Sequence, residues 1–305
     1  MKKIEEELYT PHQKNVSSYE GSFLDGSFKR MSKKEWDNIG GTVNKVRASE
    51  GYKVNTFREL INEIALVTIS NRNYEMFYRG QSKDYLNNQS KYYSDRKPKS
   101  TILPSICRPD LKEDGSPKYS VRKQTIRERY EKLFALIEFI NKSKKFSHRD
   151  EYLMSLFQHY EICPTPLIDI TQSLRVAATF ALKTKNKGYV YVFGLPYPNQ
   201  STSYFIDSGI ILLKLQNIMS TNALRPRYQE GYLVGKFPFD RRKSQFDDLS
   251  NRMVAKFFID NSAGTFWDEH FLPMPDDVLY PKNDAVENWL KELKLKFENQ
   301  YRVRK

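Results

Sequence analysis

The stretch from Pro164 to Leu182 constrains the fold more than any other part of this 305-residue sequence. Two prolines exclude a helix start before Leu167, because proline lacks a backbone N–H and restricts the residue before it. The apolar residues that follow predict a short strand, and Thr171 or Ser173 is placed to cap a helix after it. The closely packing residues of that helix are Val176, Ala177, Phe180 and Ala181.

Other segments alternate between helical and strand patterns. Thr56 to Glu59 reads as a capping box before a helix that runs to about Ser70. Further helices are predicted at 121–142, 148–159 with Ser147 as cap, 242–252 and 284–301, and further strands at 188–194, 209–215, 232–237 and 254–259. These patterns predict a mixed α/β (α+β) fold: a single compact domain with a small mixed sheet flanked by helices. Residues 1–55 are expected to form an N-terminal extension or lid, and residues 56–305 the domain.

The segment from Glu75 to Gln81 reads as a buried strand that ends at Arg79 and turns at Gly80. An arginine in this position is costly to desolvate unless an anionic group meets it. Its planar fork suits a carboxylate, or a phosphate or pyrophosphate held at two oxygens. Asp169, which has apolar neighbours, is the internal alternative, and in that case Arg79 is structural.

The net charge of +13 and the pI near 9.4 favour a polyanionic partner, of which nucleic acid is the commonest. An acidic protein partner and simple solubility are the alternatives. The predicted nucleic-acid footprint is the basic face of the long helix and the residues after it. Its members are Arg122, Lys123, Arg127, Arg129, Lys142, Lys144, Lys145 and Arg149.

Several classes of protein are not expected. No apolar run approaches the length of a transmembrane helix, and the charged N-terminus does not resemble a signal peptide, so we expect a cytoplasmic protein without a membrane partner. Cys107 and Cys163 form neither a disulfide framework nor a zinc signature. Phosphate-binding loops and nucleophile elbows are also missing. Because the carboxylates are not clustered, no metal site is predicted.

Separated motifs in this sequence resemble the FRG domain family, which takes its name from a Phe-Arg-Gly motif. The matching pieces are Tyr78-Arg79-Gly80-Gln81, Leu103-Pro104-Ser105, Gln158-His159-Tyr160, Pro164-Thr165 with Leu167 to Thr171, the Ala177/Ala178/Phe180/Ala181 helix, Arg227 to Tyr232, and Leu279-Tyr280-Pro281. The resemblance covers roughly residues 70–295 and leaves the N-terminal arm outside it.

The FRG family in turn looks like the ADP-ribosyltransferases, and the sheet is expected to resemble their split sheet. Arginine-type transferases have Tyr-Arg-Gly at a strand end, then a Ser/Thr-rich strand end with a helix, then a catalytic Glu on a later strand. Here Tyr78 to Gly80, Thr171 to Ser173, and Gln229-Glu230 before Tyr232 repeat that order. Gly231 separates Glu230 from the strand. Either Glu230 acts through a bulge, Gln229 acts in a weaker way, or the site is not catalytic.

The resemblance implies NAD as cofactor and a role for each matched residue. Glu230 would stabilise the oxocarbenium-like species formed when the nicotinamide–ribose bond breaks, and Arg79 would hold the pyrophosphate. Gly80, Gln81, Thr171, Ser173 and the rings of Tyr78 and Tyr232 would contact the cofactor.

Structural alternatives exist for several of these residues. Glu230 is otherwise a loop carboxylate that pairs with Arg227, and Thr171 is otherwise a plain helix cap. His159 at a helix end predicts a structural hydrogen bond to the backbone, in preference to acid–base work.

The sequence therefore predicts an NAD-dependent mono-ADP-ribosyltransferase that modifies nucleic acid, RNA more than DNA, as a bacterial toxin or anti-phage effector. An antitoxin or inhibitor is implied by analogy. The alternatives are a non-catalytic nucleotide- or nucleic-acid-binding module and a transferase that acts on protein.

Overall fold

The structure, a computed structural model, describes residues 43–87, 98–109, 123–143, 149–206, 208–239 and 248–303. Within these ranges helices and strands alternate, which confirms the predicted mixed α/β class. The strands are β1 (Tyr52–Val54), β2 (Glu75–Gln81), β3 (Leu86–Asn87), β4 (Lys99–Ser100), β5 (Leu167–Thr171), β6 (Lys187–Leu195), β7 (Thr202–Phe205), β8 (Ile210–Lys214), β9 (Gly231–Lys236) and β10 (Met253–Asp260). The helices are α1 (Val43–Ala48), α2 (Phe57–Ser70), α3 (Lys123–Ser143), α4 (Asp150–His159), α5 (Leu174–Leu182), α6 (Leu215–Ile218), α7 (Leu224–Tyr228), α8 (Asp276–Leu279) and α9 (Ala285–Val303). Short 3-10 turns lie at Ser105–Cys107 and Leu249–Arg252.

The chain divides into two compact units, each assembled from three separate segments. The first unit takes the described residues within 1–102, 171–198 and 248–274, and the second takes the described residues within 103–170, 199–247 and 275–305. Residues 43–54, predicted as part of the N-terminal extension, contribute α1 and β1 to the first unit, where Val46 and Val54 are buried. Residues 1–42 lie outside the described residues.

The first unit is built on four paired strands. β1 lies parallel to β10, β10 antiparallel to β6, and β6 antiparallel to β2. On its other side β2 pairs with Thr171 through Tyr78. The apolar stripes of α2 and α5 share one buried cluster with this sheet, which includes Leu60, Val67, Ala177, Ala181, Met76, Val190, Val192 and Phe257. This cluster therefore lies on one face of the sheet, while Phe77 and Phe193, which pair with each other, are fully buried on the other face.

Helix α2 begins where the sequence predicts. Thr56 Oγ1 accepts the backbone N–H of Glu59 at 3.0 Å, which satisfies one of the free donors of the first turn. The Glu59 carboxylate reaches back to the N–H of Asn55 at 2.7 Å, one residue earlier than in the predicted capping box. The helix ends at Ser70, as predicted.

In the second unit β8 pairs antiparallel with β7 and β9, and β5 lies on the far side of β9. Helices α3, α4 and α9 surround the core of this unit. Their buried apolar residues include Ile126, Leu133, Ile137, Leu153, Phe157, Leu290 and Phe297. The predicted long and C-terminal helices are therefore confirmed within the described residues. The predicted cap Ser147 and residues 242–247 of the predicted helix near 242–252 lie outside them, and 249–252 is a 3-10 turn.

Candidate functional site

Arg79 lies in the second half of β2, directly opposite Tyr191 of β6, and its side chain is half-buried. Successive residues of a strand point to opposite faces of the sheet, so Tyr78 and Gly80 point away from Arg79. Tyr78 is 8% exposed and packs in the cluster with α2 and α5. Burial raises the pKa of its phenol to about 12. The ring predicted to stack on a ligand is therefore part of the core, and Arg79 faces away from it.

The prediction that the strand ends at Arg79 and turns at Gly80 is wrong. Strand β2 continues through Gln81, and Gly80 pairs with Val190. The glycine is required by a close contact: a Cβ at position 80 would lie 1.8 Å from the carbonyl oxygen of Ala177 and 2.7 Å from the backbone nitrogen of Ala181. The glycine of the Tyr-Arg-Gly motif therefore allows α5 to pack directly against the strand that carries Arg79.

A buried polar network, not predicted from the sequence, lies on the same sheet face as Arg79. The register places Arg79, Tyr191 and Lys256 in one row across β2, β6 and β10. The Lys256 ammonium is completely buried and donates to Oδ2 of Asp84 and to Oγ of Ser100, each at 2.9 Å. The other oxygen of Asp84 accepts the Tyr191 hydroxyl at 3.0 Å. Burial raises the pKa of the Tyr191 phenol, and the Asp84 carboxylate adds to the shift.

This network ties the loop after β2 and strand β4 to the sheet beside Arg79. One sequence signal could have indicated it: Lys256 interrupts the apolar run of β10 in the same way that Arg79 interrupts β2. A charged group in such a run requires a buried partner. The partner, Asp84, lies in a polar stretch of sequence, and for that reason the pair is not evident from the sequence.

Thr171 and Ser173 lie at the junction of β5 and α5, in the same unit as Arg79. Thr171 Oγ1 accepts the backbone N–H of Ser173 at 3.0 Å, so it forms a local turn before the helix. Ser173 is the N-cap residue, but its side chain makes no capping hydrogen bond, and the first turn contains no acidic residue. The partial positive charge of this helix end is therefore not matched by a carboxylate from its own first turn.

Gln229, Glu230 and Tyr232 belong to the second unit, where α7 leads into β9. Strand β9 begins at Gly231, directly after Glu230, so the prediction that Gly231 separates Glu230 from the strand is wrong. Glu230 is exposed and has a φ of 46°, a left-handed conformation that is uncommon outside glycine. Gln229 is buried, and its side-chain amide donates to the carbonyl oxygen of Leu279 at 2.8 Å. Tyr232 is only 4% exposed. Of the two predicted catalytic positions, Glu230 is therefore the accessible one, and Gln229 is engaged in the fold.

Asp169, predicted as the internal partner of the arginine, makes two contacts within the second unit. It accepts a hydrogen bond from Nε2 of Gln158 at 2.7 Å and lies 3.2 Å from Nδ1 of His159. Gln158 in turn accepts hydrogen bonds from the hydroxyls of Ser105 (3.0 Å) and Thr165 (2.5 Å). His159 is 3% exposed, and this side-chain contact is with a carboxylate where the sequence predicts a backbone group. The Gln-His-Tyr and Pro-Thr motifs therefore meet in one hydrogen-bonded cluster.

The basic face of α3 is interleaved with acidic residues. Arg127 pairs with Glu131 at 3.0 Å and Lys142 with Glu138 at 2.5 Å, all of them largely exposed. Arg129 donates to the backbone carbonyls of Ile106 and Arg108, so it holds the preceding loop. Arg149 is exposed and is the N-cap residue of α4. For Arg122, Lys144 and Lys145 the positions, and for Lys123 the side chain, lie outside the described residues. The neighbouring carboxylates reduce the attraction of this face for phosphate.

The described residues contain no group of three or more His, Cys, Asp or Glu side chains that could hold a metal ion. Among the helices described, none has both the length and the apolar composition needed to cross a membrane.

Comparison with known proteins places these motifs in context. No curated protein and no solved structure matches the chain. The matched family segment contains Arg79, the Gln-His-Tyr cluster, Thr171 and α5, whereas Glu230 and Tyr280 lie beyond it. Residues 74–189 match the model of the FRG domain family, and this segment is what the chain shares with that family.

Proposed function

We propose that this protein is an NAD-dependent mono-ADP-ribosyltransferase that modifies nucleic acid, RNA more than DNA. The observation that carries the proposal is Arg79, a half-buried arginine on strand β2 of the first unit. The end of α5 that follows Ser173 belongs to the same unit. A bidentate donor and a helix N-terminus are the two groups most often used to hold phosphate in proteins.

The chemistry assigns a separate task to each group. Arg79 binds the pyrophosphate of NAD and contributes position, not proton transfer. The exposed carboxylate of Glu230 stabilises the positive charge that develops on the ribose as nicotinamide leaves. The transfer then joins the anomeric carbon to a nucleophilic nitrogen or oxygen of the acceptor, which loses a proton. Left-handed backbone at a non-glycine residue is enriched at functional positions, which supports this role for Glu230.

The test uses NAD labelled in the adenylate part, incubated with the protein and with total RNA, DNA or protein extract. We expect label in the RNA fraction. Glu230→Gln should lower the rate by about 10²–10³-fold, the usual effect of removing one charge-stabilising group. Glu161→Gln is the matched control, because Glu161 also lies in the second unit with a left-handed φ of 55° and an exposed side chain. Equal rates for Glu230→Gln and the wild type would remove Glu230 from the reaction.

Arg79→Ala separates a ligand-binding arginine from a structural one. We expect a weaker affinity for NAD with little change in melting temperature if Arg79 meets phosphate. A lower melting temperature with unchanged affinity would mean that Arg79 is internally paired. Arg72→Ala is the control, since Arg72 is an exposed arginine of the same unit that lies outside α5.

A second candidate is a nucleotide- or nucleic-acid-binding module without catalysis. The observation that favours it is the engagement of the Gln229 side chain with the carbonyl oxygen of Leu279. Label in none of the three fractions, combined with measurable binding of NAD or RNA, would select this candidate. Label in the protein fraction would select a protein-directed transferase, for which the net charge of +13 implies an acidic target.

A further inference from the structure

We propose that the sheet face carrying Arg79 also holds a nucleobase of single-stranded nucleic acid, stacked on Tyr189 and Phe258 and hydrogen-bonded by Gln81. This inference rests on the proposed function, because it names how the acceptor of the transfer is held. It concerns the first unit alone.

The register of the strands brings these residues into one row. Gln81 of β2 lies opposite Tyr189 of β6, Tyr189 opposite Phe258 of β10, and Phe258 opposite Lys53 of β1. Paired residues of neighbouring strands point to the same face. None of the four is buried: Lys53 is exposed and the other three are half-buried. The row is therefore a band of accessible side chains across all four strands.

The other face of the same strands is closed. There Val190 and Phe257, which pair with each other, are completely buried in the cluster with α2 and α5. Within β6 only the end of the strand is accessible, at Lys187 and Tyr189. The accessible band is thus a local feature of one face, and it lies one row from Arg79, because residues 79 and 81 share that face.

The aromatic rings of the band form a supported platform. The Tyr189 and Phe258 ring centroids are 5.3 Å apart with an interplanar angle of 50°. The Tyr189 and Tyr191 rings are 6.2 Å apart and nearly parallel, at 18°. Tyr191 is fixed by its hydrogen bond to Asp84, and Lys256 Nζ lies 5.9 Å from the Tyr189 ring centroid. The buried network therefore fixes the side chains beneath the platform, which lowers the entropic cost of stacking a base on it.

Gln81 supplies the independent indication of a ligand. Its side-chain oxygen Oε1 is buried and has no hydrogen-bond partner among the described residues. A buried acceptor without a donor destabilises the free protein, so its presence requires an explanation. The amino and imino groups on the edges of nucleobases are donors of the right kind, and glutamine is a common reader of base edges. The orphan oxygen is therefore placed beside the ring on which a base would stack.

The charges around the band favour an anionic strand. Lys53 stands at one end of the band, and Arg79 lies in the adjacent row. The Asp84 carboxylate is already bound to Lys256. Glu50 is the exposed carboxylate near Tyr189: burial raises the pKa of the Tyr189 phenol, and the Asp84 and Glu50 carboxylates add to the shift. The exposed Lys53 and the net charge of +13 suit a phosphate backbone.

A single strand is the form of nucleic acid that fits. In a duplex both faces of a base are stacked and its pairing edge is occupied. Aromatic platforms with a polar reader therefore bind unpaired bases. Lys53 would contact a phosphate next to the stacked base, while Arg79 holds the pyrophosphate of NAD.

The test measures fluorescence anisotropy of labelled 12-nucleotide RNA strands, single-stranded and duplex, with the full chain at fixed salt. Tyr189→Leu and Phe258→Leu should each weaken single-strand binding by about 5- to 150-fold, the loss typical of one stacking ring. Tyr197→Leu is the matched control, since Tyr197 is a 53% exposed tyrosine of the same unit. Lys53→Ala should flatten the salt dependence of binding by roughly one phosphate contact.

Gln81→Met provides a readout that a merely structural role would not give. The apolar replacement removes the orphan acceptor, so the melting temperature should be equal or higher while RNA affinity falls. A lower melting temperature with unchanged affinity would overturn the inference. Weak binding of the wild type to single strands, or equal loss in Tyr197→Leu and Tyr189→Leu, would do the same.

The outcomes separate this inference from the proposed function. NAD affinity is measured on the same variants by calorimetry. If NAD is not bound or cleaved but RNA binding depends on Tyr189 and Gln81, the transferase proposal fails and the base site stands as that of a binding module. If NAD is cleaved and RNA binding is indifferent to both residues, the base site fails and the transferase proposal stands.

Discussion

Gly80→Ala is the substitution whose effect the structure defines most sharply. The added Cβ would lie 1.8 Å from the carbonyl oxygen of Ala177, against about 3.4 Å for ordinary contact, so α5 would have to move by about 1.6 Å. Both nearest groups belong to the backbone of α5 and cannot rotate away. Overpacking of a core side chain usually costs about 1–3 kcal/mol, and a rigid backbone clash should reach the upper end or exceed it. For a chain of 305 residues with the usual entropy of unfolding per residue, 3 kcal/mol corresponds to a fall of about 5 °C in melting temperature.

The assay is thermal and urea unfolding followed by circular dichroism. Gly264→Ala is the control, because no atom lies within 4 Å of the methyl group that it would add and the only penalty is its φ of +72°. Ala177→Gly should not rescue Gly80→Ala, since the clash is with the carbonyl oxygen and not with the Ala177 side chain. A melting temperature for Gly80→Ala equal to that of Gly264→Ala would refute the view that this glycine serves helix packing.

Three further predictions concern buried or strained groups. Lys256→Met should lower the free energy of unfolding by about 3–5 kcal/mol in urea titrations, because it leaves the Asp84 carboxylate, only 13% exposed, without its cation, and adding Asp84→Asn should recover most of that loss. Glu230→Gly should raise the free energy of unfolding by about 0.5–1 kcal/mol in the same titrations, since glycine adopts the φ of 46° without a Cβ clash; a loss of stability would mean that the Glu230 side chain is structural. Burial raises the pKa of the Cys163 thiol to about 12, so a disulfide reagent at pH 8 should modify Cys163 slowly in the native protein and rapidly in urea; equal rates would contradict the burial.

The local elements are predictable because their signals are local. The Thr56 cap, the prolines before Leu167 and the apolar stripe of α9 each fix an element within a few residues. The role of Gly80 is not predictable in this way, because a glycine at a strand end suggests a turn, whereas its reason lies almost a hundred residues further along, at Ala177. A glycine in the sequence shows that a side chain is absent, but it does not show which backbone segment packs against that position.

The candidate site is predictable only in part. Arg79 and Glu230 stand out in the sequence as charged residues beside strands, and both are at least partly accessible. Tyr189 and Phe258 do not stand out, because their importance depends on the pairing of β6 with β10, and strand order is not encoded in any local pattern. Tyr78 is indicated by its place in the motif, yet the alternation of the strand turns it into the core.

The position of β10 has a consequence for how the chain can be made and divided. This strand lies between β1 and β6, although it is the last of the ten to be synthesised. During synthesis the FRG-matched stretch is complete long before β10 leaves the ribosome. The edge of β6 that pairs with β10 therefore remains unpaired until β10 has been made. An excised fragment of residues 74–189 would lack β10 entirely and six of the nine residues of β6, and we expect it to aggregate instead of folding.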